Sequence, residues 1–200
     1  MAKIGKIHEE IIRKVLKNIA VENTITSLAG EIKATRMGIW KALKKLESES
    51  QIILEPIGKG KTSTYKIKLN WQNPLVEKTL VAILLKDALE QERWRYNFKK
   101  LENHVLFIML FGSILHSPKE ANDIDLLVIT KNGKEFKVIK NIISEAQISQ
   151  SKKIHAIDLT IEELKENINN KNKAYLEAIN KGVVLFGQED FIKFIQNMKK

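Results

Sequence analysis

In the first 70 residues, the hydrophobic positions are spaced first as in helices and then as in strands. Residues 7–20 repeat apolar side chains every three or four positions, which predicts an amphipathic helix. A second, shorter helix is predicted to begin at Thr26 as its N-cap. Thr35 is predicted to cap a third helix over residues 36–48.

Two strands are predicted after these helices. Residues 65–69 alternate between polar and apolar side chains, as a half-buried strand does, and residues 52–57 supply a partner for it. The turn between the strands carries Lys59 and Lys61. Three helices followed by a hairpin with a basic tip resemble a winged helix-turn-helix domain.

The resemblance implies that residues 1–70 bind double-stranded DNA, with the third helix in the major groove and the hairpin against the backbone or minor groove. A partly buried core position for Trp40, a merely solvated lysine face and a protein-binding role stay open as alternatives. The residues implied to contact DNA are Arg36, Trp40, Lys41, Lys44, Lys59 and Lys61.

The distribution of charge favours the same kind of partner. Residues 1–70 hold 14 Lys and Arg against 7 Asp and Glu, which is +7 of the total formal charge of +10. A basic excess confined to the first third of the chain is typical of a domain that binds a polyanion.

Residues 71–103 are interpreted as a connection between two domains. The sequence Trp-Gln-Asn-Pro at 71–74 breaks the pattern, and an apolar helix is predicted from Leu75 to about Asn103. Packing on the second domain explains its apolar residues, and their breadth also suits the contact surface of a homodimer.

The second domain, residues 104–200, begins with an almost unbroken apolar run that ends at Gly112. Such a run predicts a strand buried on both faces. Glycine permits a tight turn and a close approach to the backbone. Ser113 is predicted to begin a short helical turn whose N–H groups and hydroxyl favour an anion.

Acidic side chains occur on two later strands. Asp123 and Asp125 are two positions apart on a predicted strand, so their carboxylates share one face. A bound Mg²⁺ would relieve the repulsion between them. A helix over residues 134–149 would bring a third strand beside the second, and Asp158 on that strand is the predicted third carboxylate.

The pattern of Gly-Ser, Asp-x-Asp and a later lone acid resembles the DNA polymerase β-type nucleotidyltransferase superfamily, in particular its minimal nucleotidyltransferases, over residues 95–195. The resemblance implies that Gly112 and Ser113 hold the triphosphate of a nucleoside triphosphate. It also implies that Asp123, Asp125 and Asp158 bind two Mg²⁺ ions and act as the catalytic residues.

The implied reaction is transfer of a nucleoside monophosphate from an NTP to a hydroxyl, for example on a protein, with release of pyrophosphate. Many relatives carry Arg-Gly where this chain has His116-Ser117, and a neutral imidazole is a poorer phosphate clamp than a guanidinium. Two alternatives therefore stay open: a transcription regulator whose second domain senses nucleotide or mediates protein contacts, and an antitoxin-type nucleotidyltransferase.

The chain as a whole is predicted to be α+β, with an N-terminal winged helix-turn-helix followed by a small αβ domain with a mixed sheet. Its 200 residues are 44% apolar, which suits two small domains. The absence of cysteine excludes disulfides and thiolate metal sites. No apolar segment is long enough to span a membrane and no signal core is present, so the expected location is the cytoplasm.

Overall fold

The computed structural model describes residues 5–58 and 64–199. The chain divides into two compact units, of which the first extends to Ile83 and the second runs from Leu84 to Met198. The predicted turn residues Lys59 and Lys61 lie outside the described residues. No helix in residues 5–58 or 64–199 combines the length and the hydropathy that a membrane span requires.

Three helices and a two-stranded antiparallel sheet form most of the first unit. Their order along the chain agrees with the predicted order, and the sheet pairs Ile52 with Leu69 and Ile57 with Thr64. The elements are α1 (Lys6–Lys17), α2 (Ile25–Ile32), α3 (Arg36–Ser48), β1 (Ile52–Ile57) and β2 (Thr64–Leu69).

Threonine side chains fix where α2 and α3 begin. The Thr35 hydroxyl accepts a hydrogen bond from the Gly38 N–H at 3.1 Å, as predicted for an N-cap. The prediction that Thr26 caps α2 is wrong, because Thr24 does so in a reciprocal capping box with Ser27. A serine can serve at that third position because its hydroxyl also accepts the N–H of the cap residue.

The segment from residue 74 to residue 104 is not the single long helix predicted. It forms α4 (Pro74–Leu89), α5 (Glu92–Asn97) and a 3-10 helix (Lys99–His104). Because of these breaks, Trp94, Phe98 and Leu101 all lie in the hydrophobic core of the second unit. Burial of these large side chains overrides the continuous helical pattern of the sequence.

The second unit is built on a mixed four-stranded sheet of order β5-β4-β3-β6, as the fold prediction requires. β4 runs antiparallel to β3 and parallel to β5, whereas β6 runs antiparallel to β3. The remaining elements are β3 (Phe107–Phe111), β4 (Asp123–Thr130), α6 (Phe136–Ile148), β5 (Lys153–Thr160), α7 (Ile161–Asn169), α8 (Lys173–Lys181), β6 (Val183–Phe186) and α9 (Gln188–Met198).

Helices cover both faces of this sheet. One face packs alternate residues of β4, such as Ile124 and Leu126, against Trp94 of α5 and Ile139 of α6. The other face is covered by α7, α8 and α9, and Phe107 meets the ring of Phe191 edge-on at 5.4 Å. Each face of β4 therefore has its own apolar layer, and polar groups are confined to the strand ends.

Gly187 allows the chain to turn tightly between β6 and α9. Its φ is +76°, and a Cβ atom added there would lie 1.9 Å from the carbonyl oxygen of Leu106. The neighbouring atom belongs to the backbone, so it cannot move aside cheaply. Only glycine fits this position.

We expect Gly187→Ala to lower the free energy of unfolding by about 2 kcal/mol or more, because it combines a strained backbone with a clash. The matched control is Gly30→Ala in α2, where an added Cβ meets no atom within 4 Å. That control should raise stability by about 0.4–1 kcal/mol. Urea unfolding of both variants measures the difference, and equal stabilities would contradict the geometry.

Candidate functional site

The end of β3 brings backbone close to a carboxylate. Gly112 follows the strand with φ +80° and ψ −164°, a conformation that essentially only glycine adopts. A Cβ atom at this position would lie 2.2 Å from Oδ2 of Asp125. The glycine therefore leaves the space in which the Asp125 side chain stands.

Ser113 begins the predicted turn directly after this glycine. Ser113–Leu115 is a single 3-10 turn, and the Ser113 carbonyl accepts the N–H groups of His116 at 3.0 Å and Ser117 at 2.8 Å. Ile114 is buried in the core, whereas Ser113 is exposed beside Gly112. Ile114 thus anchors the turn in the core, and Ser113 is left exposed to solvent.

Asp123 and Asp125 lie together at the start of β4. They are two positions apart, and their side chains are 39% and 29% exposed. Asp125 pairs with Phe111 of the neighbouring strand β3, and Phe111 directly precedes Gly112. The Gly-Ser turn and the Asp-x-Asp pair therefore occupy adjacent strand ends, as the sequence spacing predicted.

Asp158 does not lie level with them, and its role as a third ligand and catalytic carboxylate stays a prediction that the strand pairing does not favour. The parallel pairing places Asp158 beside Val128 and not beside Asp125. It is therefore on the opposite face of the sheet, the one that packs on α6. It also lies three positions beyond the level of Asp125, or about 10 Å along the strand.

The residue of β5 that does lie level with Asp125 is His155. Its Nδ1 atom is 3.8 Å from Oδ2 of Asp123 and 3.8 Å from Oδ1 of Asp125. Sequence reasoning missed this histidine. The signal was its position as third residue of a strand parallel to β4, because parallel strands bring equivalent positions to the same sheet edge.

The three side chains do not form a ready-made ligand shell. Across residues 5–58 and 64–199, no group of three or more His, Asp or Glu side chains is arranged to hold a metal ion as the side chains stand. The donor atoms of Asp123, Asp125 and His155 nevertheless share one end of one sheet face.

Burial raises the pKa of the Asp125 carboxyl above its ordinary value. Partial removal from water is the largest cause, the charge of His155 lowers the pKa, and the charge of Asp123 raises it. The folded protein therefore stabilises the ionised form of Asp125 less well than water does.

The exposed face of α3 carries the cations predicted to contact DNA. Arg36, Lys41 and Lys44 are exposed. Lys44 forms an ion pair with Glu47 at 2.9 Å and lies 4.8 Å from the centre of the Trp40 ring. Arg36 and Lys41 are about 1.4 turns apart along the same helix.

Trp40 packs within the first unit. It is half-buried, and its ring stacks on that of Tyr65 in β2 with 5.4 Å between the centres. This contact agrees with the alternative of a partly buried core tryptophan. The ring joins α3 to the two-stranded sheet and forms a platform beneath Lys44.

We expect Asp125→Asn to raise the melting temperature by up to a few degrees at pH 7 in EDTA. A carboxyl whose folded pKa is raised contributes stability only below its unfolded pKa of about 3.9, and that contribution is lost as the pH rises through the folded pKa. The gain from the amide should therefore disappear as the pH falls below about 4. Thermal unfolding from pH 3 to pH 8 measures it, and a gain that grows on acidification would contradict the sign.

Neither the curated proteins nor the solved structures compared with the chain include a match. Residues 96–191 match the family model described as "Polymerase beta, Nucleotidyltransferase". This region contains the Gly-Ser turn, the Asp-x-Asp pair and the complete four-stranded sheet, and it is therefore similar to nucleotidyltransferase domains of the polymerase β type.

Proposed function

We propose that this protein transfers a nucleoside monophosphate from a nucleoside triphosphate to a hydroxyl acceptor, and that its first unit binds double-stranded DNA. The observation that carries the first part is the closeness of Gly112 to Asp125. In a domain of the polymerase β type, that contact joins a backbone turn suited to phosphate with a carboxylate suited to a divalent cation.

Gly112 and Ser113 are proposed to hold the triphosphate. The glycine has no side chain to obstruct a ligand, and the exposed serine hydroxyl can donate a hydrogen bond to a phosphate oxygen. His116, on the same turn, is exposed and in reach of solvent. It occupies the place where many members of the resembled superfamily carry arginine, so the turn would offer a weaker clamp for the phosphates.

Asp123 and Asp125 are proposed to hold the divalent cation of the reaction. The fit rests on the donor set, since the two carboxylates share one strand face and offer oxygen ligands at one end of the sheet. A bound cation would neutralise charge on the phosphates. The acceptor hydroxyl would attack the α-phosphorus and release its proton to solvent, while the bond between the α-phosphorus and the oxygen that bridges it to the β-phosphate breaks and pyrophosphate leaves.

A second candidate function is that of a regulator whose nucleotidyltransferase domain is weak or inactive and senses nucleotide or mediates protein contacts. The position of Asp158 on the opposite sheet face favours it. With only two carboxylates at the site, less negative charge is available for a second cation. Nucleotide binding without transfer would then be the output of the domain.

The DNA-binding part of the proposal rests on α3 and on charge. The helix presents Arg36 and Lys41 on its exposed side, and residues 1–70 carry +7 of the net charge. The order of three helices and two strands agrees with a winged helix-turn-helix. Exposed cations on α3 can meet the spaced phosphates of a duplex.

To test transfer, the protein is incubated with each α-labelled NTP, a divalent cation and a mixture of protein and nucleic-acid acceptors. Wild type should transfer label, and Asp123→Asn with Asp125→Asn should reduce transfer at least ~100-fold, because the amides cannot neutralise a cation.

Asp158→Asn is the matched control for the transfer assay, since it removes the same charge from the other sheet face. It should leave transfer within about twofold of wild type. Nucleotide binding without label transfer in the wild type would favour the regulator. Transfer that survives the double substitution would refute the assigned site.

To test DNA binding, Arg36→Ala with Lys41→Ala is compared with wild type on a mixed-sequence duplex at several salt concentrations. Losing two phosphate contacts should make the slope of log K against log salt shallower by about 2 units. Lys137→Ala with Lys140→Ala removes the same charge from exposed positions of α6. If both double variants lose the same amount of slope, DNA binding depends on net charge and not on α3.

A further inference from the structure

The start of β5 lies on the side of the candidate site that faces away from the Gly-Ser turn. The sheet order is β5-β4-β3-β6, so the turn after β3 and the start of β5 flank Asp123 and Asp125 from opposite sides. β5 is an edge strand of this sheet, and both Lys153 and His155 near its start are exposed. A second molecule can therefore approach the two aspartates from this side.

Lys153 is the residue of β5 that lies level with Asp123. The parallel pairing sets the two residues beside each other, so their side chains leave the same face of the sheet. Within residues 5–58 and 64–199, no acidic side chain forms an ion pair with this lysine. Its ammonium group is therefore available to a ligand of the opposite charge.

Neighbouring groups hold the backbone at the start of β5 in place. Gln147 of α6 accepts a hydrogen bond from the Ile154 N–H at 2.8 Å and donates one to the Lys152 carbonyl at 3.0 Å. The Lys152 ammonium group donates to the carbonyl of Ala121, in the segment that leads into β4. Lys153 lies between these two anchored residues, so its backbone is fixed while its side chain can turn toward a ligand.

The direction of the proposed reaction assigns this side of the site to the acceptor. In phosphoryl transfer, the attacking and leaving oxygens lie roughly in line on opposite sides of the phosphorus. If Gly112 and Ser113 hold the phosphates that leave as pyrophosphate, the acceptor hydroxyl approaches from the side away from their turn. That side is the one on which β5 lies.

We propose that Lys153 binds a phosphate group of the acceptor, so that the site prefers an acceptor whose hydroxyl lies beside a phosphate. The inference rests on the proposed function, because it concerns the second substrate of the same reaction. The end of a nucleic-acid strand and a free nucleotide both carry a phosphate and a hydroxyl on one sugar. Lys153 is the residue that determines acceptor specificity.

The charge on this side of the site favours such an acceptor. The residues of β5 that share the face of Asp123 include no acid: they are Lys153, His155, Ile157 and Leu159. A lysine offers a phosphate a full positive charge and charge-assisted hydrogen bonds. An uncharged polypeptide around a serine or tyrosine hydroxyl gains no comparable interaction. The phosphate-bearing acceptor is therefore bound more strongly.

A structural role is the competing explanation for Lys153. Oppositely charged residues on neighbouring strands stabilise a sheet, and the lysine could simply offset the charge of Asp123. That role affects the stability of the fold. It gives the protein no means of distinguishing a charged acceptor from an uncharged one, so acceptor preference separates the two roles.

The test uses the full chain, an α-labelled NTP with Mg²⁺ and two matched oligonucleotide acceptors. One acceptor has an ordinary phosphodiester beside its terminal hydroxyl, and the other has a neutral methylphosphonate at that linkage. We expect the wild type to use the charged acceptor with a kcat/KM roughly tenfold higher, the effect of one hydrogen bond to a charged group. Lys153→Gln should bring this ratio close to one, and Lys153→Arg should preserve it.

Lys140→Gln is the matched control, because it removes the same charge from an exposed position of α6. It should keep the ratio of the wild type. The KM for NTP should change less than about twofold in Lys153→Gln, since the triphosphate is expected on the other side of the aspartates. Circular dichroism establishes that the variants fold. AMP and adenosine are compared as small acceptors: a preference for AMP assigns the phosphate to a single nucleotide, and a preference confined to oligonucleotides assigns it to a strand.

The possible outcomes separate the inference from the proposed function. A ratio that Lys153→Gln leaves unchanged overturns the inference alone. The inference also fails if the only change in Lys153→Gln is a higher KM for NTP, because the lysine then holds the nucleotide. Transfer to protein hydroxyls with none to phosphate-bearing acceptors overturns it too, and leaves the proposed function intact. If the wild type transfers label to no acceptor, both fail.

Discussion

The register between β4 and its two neighbours is the constraint on which the second unit depends. β4 pairs with β3 on one side and with β5 on the other, and its interior residues Ile124 and Leu126 are completely buried. A slip of one residue would exchange the faces of the strand and bring Asp123 and Asp125 into the apolar layer. Burial of two unpaired carboxylates is costly, so hydrophobic packing fixes the register and the register fixes the position of the site.

The position of the site therefore follows from where the apolar core of the sheet ends. β4 begins with two polar residues on alternate positions and continues with buried ones, so the carboxylates project where the apolar layer stops. Gly112 completes this arrangement from the neighbouring strand, because any larger residue would displace Asp125. The raised pKa of Asp125 is the electrostatic cost of holding a charge at that boundary.

The sequence predicted where the helices and strands of both units lie better than it predicted which face of a strand or helix each side chain occupies. Long apolar runs and threonine caps located most helices and strands, and the mixed sheet followed from the connections between them. The break between α4 and α5 was missed, because no glycine or proline marks it and tertiary burial of Trp94 and Phe98 decides it. At the candidate site, the spacing of Asp123 and Asp125 was sufficient because both lie on one strand.

Asp158 could not be placed from its own strand. Residues 154, 156, 157 and 159 are all apolar, so their alternation does not say which face of β5 the aspartate occupies. Only the parallel pairing with β4 resolves it, and that pairing gives the level position to His155. The codons of histidine and aspartate differ by a single base. One point mutation at this position would therefore place a third carboxylate level with Asp125 at this end of the sheet.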